Sequence, residues 1–427
     1  MIRQWLHRRY RPQRYALLPG LLENERLDAE TLQRRQQQAI DEMVRFAMEN
    51  TDYYAEQYAG RIGRTGLVQI EQLPLLTREQ VIANRDRMRN RNLRPGSYRL
   101  GHTGGSTGTP LAFWYDDHKI ELMRAGMMRG YRWSGWRPGE KILNFWGARQ
   151  DLKTGLRRRY KEFIVAERTL GAWEYDTQTL QRWAETIRSW RPVLLQGYAS
   201  VLAELARYLL RRRVRLPRGI KGVYSTAEVL HDWQREAMES AFGCPVFNQY
   251  GSREVPNIAL QCRQGNLHVF TDMVALESVQ RKGEARLLVT SLSNRVMPFI
   301  RYENGDTGRL REGSCSCGSP FPLMELDLCR SNDLVRTPGG RRVYPSWFVH
   351  LLDGIAGVRH YQFVQESPQR MVLKLVSEKP LDREAASALQ QRVSDELGLA
   401  LEIREVDAIA RSASGKHRFV IGYSDAG

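Results

Sequence analysis

Between Gln178 and Tyr250 the chain switches repeatedly between two hydrophobic periods. Gln178–Trp190, Ser200–Leu210 and His231–Phe242 read as helices, while Val193–Leu195, Gly222–Ser225 and Val246–Tyr250 are short strand-like runs. Strands alternating with helices predict βαβ units, and so a parallel sheet covered by helices. The same pattern begins upstream, with a helix expected from Asp117 to Trp133 and a strand over Lys141–Trp146. From Leu267 to about Leu310 the pattern turns β-rich, Ala285–Thr290 being the clearest strand.

The two ends differ from this centre. Residues 1–60 read as helical, and Met43, Phe46 and Ala47 share one apolar stripe. Ile2, Trp5 and Leu6 form a shorter stripe among arginines, which suits packing against the body better than contact with a membrane surface. The last ninety or so residues read as a separate α+β domain. Its strands are expected at Tyr361–Val364, Met371–Val376 and Leu401–Val406, and its helix at Arg383–Leu397, with Ala386, Leu389 and Val393 on one side. Ser, Asn, Asp, Pro and Gly cluster at the join, Arg330–Gly340. The expected fold class is therefore α/β. A large N-terminal domain, residues 1–330, combines helix-covered parallel sheets with a β-rich subdomain, and a small mobile α+β domain, residues 331–427, follows it.

A chain of 427 residues can bury a substantial core. No run reaches the ~18 apolar residues of a membrane helix, and the basic start, Met1 to Arg14, does not read as a secretory signal. Five cysteines suit reduced thiols or a metal better than a disulfide scaffold, and together these features point to the cytoplasm. The net charge of +17 would suit nucleic acid, but its arginines are dispersed and no nucleic-acid motif accompanies them. Nucleic acid is not expected as a partner. The charge should instead attract anions such as nucleotides.

The strongest local signal is Thr103-Gly104-Gly105-Ser106-Thr107-Gly108-Thr109-Pro110, flanked by strands within residues 98–115. Glycines let a backbone approach a ligand, successive N–H groups can cradle an anion, and the hydroxyls add donors. This suits a polyphosphate. It is not the Walker loop, because no Gly-Lys-Ser/Thr follows.

Further segments occur in a fixed order. They are Asn50–Tyr54, Leu73–Thr77, the glycine loop, Gln196–Ser200, Ser225-Thr226-Ala227-Glu228, Tyr250-Gly251-Ser252-Arg253-Glu254, Arg301–Asp306 and Ser414-Gly415-Lys416. This series resembles the adenylate-forming superfamily, and within it the phenylacetate–CoA ligases and their capsular-polysaccharide-biosynthesis relatives. The resemblance runs over nearly the whole chain. It implies ATP held between a large and a small domain, an acyl-AMP made from a carboxylic acid, and acyl transfer to CoA or a carrier protein.

By that resemblance Thr103 to Gly108 hold phosphates, and Ala227 and Glu228 line the adenine edge. Tyr250 lies against the adenine, with Gly251 and Ser252 beside it. Glu254 binds Mg2+, a role that suits hard carboxylate oxygen. Asp306, ending a tight Asn-Gly-Asp turn, accepts both ribose hydroxyls, and Arg330 contacts ribose or phosphate. Lys416 is the catalytic lysine, its cation bridging carboxylate and α-phosphate as charge builds. Two departures stand out. The hinge reads Cys329-Arg330-Ser331-Asn332-Asp333, with Asn332 where the family's pivot Asp stands, and Thr109 replaces the loop lysine that often follows the last glycine. Trp133–Arg149 and Gln196–Ser200 are expected to wall the acid pocket.

Cys262, His268, Cys315 and Cys317 are a C-x5-H and a C-x-C set, and three thiolates with one imidazole suit a closed structural zinc site. Reduced, partly buried cysteines are the alternative, and the resemblance favours zinc. Two other functions compete with acid–thiol ligation. One is an adenylyltransferase that leaves AMP on its acceptor. The other is a non-catalytic assembly protein of polysaccharide biosynthesis, against which Glu254, Asp306 and Lys416 argue. The acid and the oligomeric state are not legible in the sequence.

Overall fold

The computed structural model describes residues 2–63, 67–103, 111–146, 162–172, 175–281, 283–330, 335–339, 342–343, 347–348, 351–352, 355, 357–410 and 418–423. The chain divides into two units, Met1–Asn304 with Gly308–Glu325, and Gly305–Thr307 with Leu326–Gly427.

The first unit begins with four helices, α1 (Ile2–Tyr10), α2 (Pro12–Asn24), α3 (Ala29–Asn50) and α4 (Asp52–Gln57), and a fifth, α5 (Arg78–Asn84). Within the expected apolar stripe of α1, Trp5 turns outward and Leu6 is half-buried. Trp5 is 59% exposed, whereas His7 is buried and lies 2.8 Å from the Tyr15 hydroxyl. The reason lies in α2. Arg14 donates to Glu121 at 3.0 Å from a buried position, and this pins α2 and so fixes which side of α1 turns inward.

A hairpin follows, β1 (Arg99–His102) with β2 (Ala112–Tyr115), and then α6 (Asp117–Tyr131), whose N-terminus is capped by Asp116. The central strands are β3 (Ile142–Trp146), β4 (Glu167–Gly171), β5 (Leu194–Tyr198), β6 (Gly222–Thr226) and β7 (Val246–Tyr250). They pair in parallel in the order β4-β3-β5-β6-β7, as the βαβ pattern predicts. Helices α7 (Thr177–Trp190), α8 (Ala199–Arg211) and α9 (Asp232–Phe242) connect them. Leu195 and Val223 join the core with Trp183, Leu202 and Met238 from these helices. Alternate residues point to the other face, where Tyr224 donates to the Gly130 carbonyl of α6 at 3.0 Å. There α6 packs so closely that a Cβ on Gly130 would fall 2.4 Å from Leu260.

The sheet continues through β8 (Ala259–Gln261), β9 (Leu267–Val269), β10 (Val274–Arg281), β11 (Glu284–Ser291), β12 (Tyr302–Arg311) and β13 (Leu323–Arg330). Its full order is β10-β11-β12-β13-β9-β8-β7-β6-β5-β3-β4. The Asn304-Gly305-Asp306 segment is not the tight turn the sequence suggests. It lies inside β12, where Gly305 takes φ +86° within an otherwise continuous strand. Pairing along the sheet overrides the local turn preference of Asn-Gly.

The second unit holds two short strands, β14 (Val335–Arg336) and β15 (Arg342–Val343), and the longer β16 (Val358–Ser367), β17 (Arg370–Ser377), β18 (Ala400–Glu405) and β19 (Val420–Ile421). The order β18-β17-β16-β19 joins one antiparallel hairpin to two parallel neighbours. Helix α10 (Arg383–Leu397) buries Leu389, Val393 and Leu397 against Phe363 and Leu373. Among the described residues, no helix is long and apolar enough to cross a membrane.

Candidate functional site

Strands β5, β6 and β7 are parallel, so their C-terminal ends share one edge of the sheet, the edge where open α/β sheets bind ligands. Three of the sequence motifs leave from it. Gly197 and Tyr198 end β5, Ala227 and Glu228 follow β6, and Gly251 to Glu254 follow β7.

Each segment is held by its own bonds. Glu228 accepts the Ser200 backbone N–H at 2.8 Å, which ties the β6 exit to the first turn of α8. Ala227 sits at φ +69°, a left-handed conformation uncommon outside glycine. Tyr250 accepts from Asn304 at 2.8 Å, which brings the β7 exit beside β12. A Cβ on Gly251 would lie 2.9 Å from the Asn257 backbone nitrogen, so only glycine lets the chain fold back there. Ser252 and Val255 then close a turn, Ser252 N–H donating to the Val255 carbonyl at 2.9 Å.

Glu254 rides on this turn. It is buried, and its Oε2 has no hydrogen-bond partner. A buried carboxylate oxygen left unpaired costs free energy unless something completes it, and a cation would do so. Nearby, Lys119 is also buried. Its Nζ donates to the Arg253 carbonyl at 2.9 Å and lies 4.4 Å from the Phe113 ring centre. Burial draws the Lys119 ammonium down to about pKa 7, against the opposing charges of Glu254 and Asp116. Lys119 belongs to none of the sequence motifs, and a lysine near a helix start reads as solvent-facing.

The neck of the glycine loop lies beside the same turn. Thr103 and Leu111 close it, with Thr103 N–H donating to the Leu111 carbonyl at 2.8 Å and Leu111 N–H to the Thr103 hydroxyl at 2.9 Å. Arg253 reaches the His102 carbonyl at 3.4 Å. The structure thus brings Thr103 and the Tyr250–Glu254 segment together. Gly104, Gly105, Ser106, Thr107, Gly108, Asn332 and Lys416 lie outside the described residues, as does the side chain of Arg330. Asp306 is half-buried in β12.

On the α6 face of the sheet, the Tyr131 hydroxyl donates to Gln196 at 2.6 Å and Gln196 donates to Gln249 at 3.0 Å. This polar chain includes Gln196 of the expected acid-pocket wall.

Cys262, His268, Cys315 and Cys317 form a second cluster, their donor atoms all within 4.8 Å of one another. A tight turn from Cys262 to Asn266 and strand β9 present the first two, and the loop between β12 and β13 presents the others. Cys262 and Cys315 sulfurs are 3.7 Å apart, and Cys317 Sγ lies 3.3 Å from His268 Nε2. Ligands at ~2.0–2.3 Å from a tetrahedral zinc sit ~3.3–3.8 Å from one another, so both pairs fit. Asn266 donates to Cys315 at 3.2 Å. Burial opposes the Cys315 thiolate, but the Cys317 N–H and Asn266 outweigh it and the thiol drops below its ordinary value. Cys244 lies apart, its thiol pushed up to about 12 by burial.

Solved structures with a like fold settle the architecture. A 2-hydroxyisobutyryl-CoA ligase in the postadenylation state, in complex with R3-HIB-AMP, superposes with TM-score 0.69 at 17% identity, over 92% of this chain and 89% of that one. The fold is that of the adenylate-forming CoA ligases. O-succinylbenzoate coenzyme A synthetase from Bacillus subtilis, in complex with ATP and magnesium ion, shares this ligase fold at TM-score 0.52 and 17% identity, over 74% of this chain and 68% of its own. Residues 335–422 match the family model of the CapK C-terminal domain. Protein CapK of Staphylococcus aureus is 26% identical over 290 residues, which are 64% of this chain and 62% of CapK. A phenylacetate-coenzyme A ligase of Thermus thermophilus is 27% identical over 323 residues, 70% of this chain and 69% of that enzyme. The alignment thus spans under two thirds of CapK. Within the ligase fold, the capsular and phenylacetate–CoA ligase resemblance carried by the motifs stands.

Proposed function

We propose that the chain activates a small carboxylic acid with ATP and Mg2+, forming acyl-AMP and releasing pyrophosphate, and then passes the acyl group to a thiol, CoA or a carrier protein. One observation carries this reading. The buried carboxylate of Glu254, with an unpartnered oxygen, stands at the C-terminal edge of the parallel sheet beside the neck of the glycine loop. The related folds bound to ATP and magnesium and to an acyl-adenylate support it.

In this reading Glu254 binds Mg2+, and the loop from Thr103 to Gly108 holds the phosphates. Tyr250 faces the adenine, near Ala227, Glu228, Gly251 and Ser252. Asp306 accepts the ribose hydroxyls, and Arg330 contacts ribose or phosphate. Lys416 supplies the cation that offsets charge where carboxylate meets α-phosphate. Cys262, His268, Cys315 and Cys317 bind a structural zinc, since protein fills all four positions. A cytoplasmic setting follows from dependence on ATP and CoA.

Pyrophosphate exchange against a library of acids tests the proposal and names the acid. Exchange with one acid class, followed by thiol-dependent release of AMP, is the expected result. Exchange without thiol-dependent AMP release would favour the adenylyltransferase, and no ATP binding at all would favour an assembly protein.

A further inference from the structure

The motif series leaves one buried charge beside the site unexplained. Lys119 is only 2% exposed, within the first turn of α6, where Asp116 caps the helix by accepting the Lys119 N–H at 2.9 Å. A lysine is rarely buried without a reason, because taking its ammonium out of water is costly unless partners restore the interaction. Its side chain runs over the Phe113 ring and ends on the Arg253 carbonyl, 2.9 Å away. That carbonyl belongs to the peptide joining Arg253 to Glu254. The same turn is held at its base by Ser252 and Val255 and on its other side by Arg253 reaching His102. Glu254 itself makes no bond through Oε2. Its direction is therefore set by the backbone that carries it, and the Lys119 Nζ–H donor fixes that backbone.

We infer that Lys119 is a positioning residue for the metal–nucleotide site, pinning the Arg253–Glu254 peptide so that the free Glu254 oxygen is aimed before Mg·ATP arrives. The inference rests on the Glu254 role proposed above. A carboxylate held in place loses less entropy on binding the ion than one that must be ordered by it.

The test is a double-mutant cycle on the full chain, read first by calorimetric titration of ATP with Mg2+ and again with EDTA. The ratio of the two affinities reports how well the site couples the ion to the nucleotide, whether or not the acid is known. Glu254→Gln should reduce that ratio ~10-fold, and Lys119→Met should reduce it by a similar factor with ATP affinity in EDTA unchanged. The two changes together should cost no more than Glu254→Gln alone, because Lys119 acts through Glu254. A residue that served folding alone would lower the melting temperature and leave the ratio alone, or add its effect to that of Glu254→Gln, and either result overturns the inference. Lys119→Gln, uncharged but polar, replaces Lys119→Met if the latter does not fold. Mg2+-coupled ATP binding that responds to Glu254→Gln but not to the Lys119 variants would sink the Lys119 role and leave the proposed function standing. A wild-type protein that binds no ATP would remove both.

Discussion

His268 Nδ1 lies 3.0 Å from the carbonyl oxygen of Phe321, and this contact leaves Nε2 turned toward the Cys317 sulfur. A carbonyl can only accept, so Nδ1 carries the hydrogen and Nε2 presents its lone pair. Metal-binding histidines are commonly oriented by such a partner. Trp133 packs edge-on to the ring and also touches the cluster of Cys262, Cys315 and Leu323, which covers the buried side of the group and leaves Cys317 exposed.

Protein purified without a histidine tag should therefore contain about one zinc per chain, a stoichiometry that follows from the one four-donor set among the described residues. Cys315→Ser should release the metal and lower the melting temperature by several degrees, because binding energy at such a site is folding energy. Elemental analysis and thermal unfolding check this together. Full stability in protein stripped of metal would show that the four side chains are a reduced thiol cluster.

The buried His7 predicts a pH effect on stability. Burial first, and then the Arg14 charge, lower its pKa from 6.5 to about 4 in the folded protein. The unfolded chain thus binds a proton between these values and the folded chain does not. Stability from this group is full above pH 6.5 and is lost as pH falls toward 4. The loss reaches ~2 kcal/mol by about pH 5, at ~1.4 kcal/mol per pH unit. His7→Asn cannot take up that proton, so its melting temperature should fall less between about pH 7 and 5 than that of the wild type. Parallel curves for the two proteins would mean that His7 is not buried as a neutral ring.

How far the sequence could be read depended on the range of the interaction. The parallel strands were legible because Leu194 and Leu195, Val223 and Val246 are apolar runs between helices, and such runs fit few other places. The zinc set was legible as residue types, but only folding brings Cys262 and Cys315 to 3.7 Å. Asn304-Gly305-Asp306 misleads because its turn preference is local, while β12 is fixed by neighbours far along the chain. Trp5 lies outward, against its expected place, because an ion pair over a hundred residues apart, Arg14 with Glu121, decides the seating of the N-terminal helices. Lys119 carries no local signal for the same reason, since its partner is the distant Arg253 carbonyl.

Asp306→Ala should weaken ATP binding at least ~10-fold, or ~1.4 kcal/mol. The carboxylate is assigned two ribose hydrogen bonds, and a bond to a charged group contributes ~1.5–3 kcal/mol. Asp306 is half-buried in a strand and not at the tip of a loop, so the backbone should hold its place when the side chain is removed. Calorimetric titration of a folded variant is the check, and unchanged affinity would move the ribose contact elsewhere.

Lys416 should serve adenylation and not the later acyl transfer. Acid and ATP are both negative where they meet, so attack on the α-phosphate gains from a cation placed at the developing charge. The thiol step breaks a bond between carbonyl and AMP, and no second anion approaches the phosphate. Lys416→Ala should fold normally, because replacing a lysine flanked by Ser414-Gly415 in the sequence removes no apolar contact the core needs. ATP should still bind with modest loss, since Asp306 and the glycine loop are assigned most of the nucleotide contacts. Acyl-AMP formation should fall by ~100-fold or more, the usual scale for losing one transition-state donor. Supplied with ready-made acyl-AMP, the variant should still acylate its thiol at near the wild-type rate. Equal losses in both half-reactions would point to damage to a shared site, and undiminished pyrophosphate exchange would make Lys416 an ordinary surface lysine.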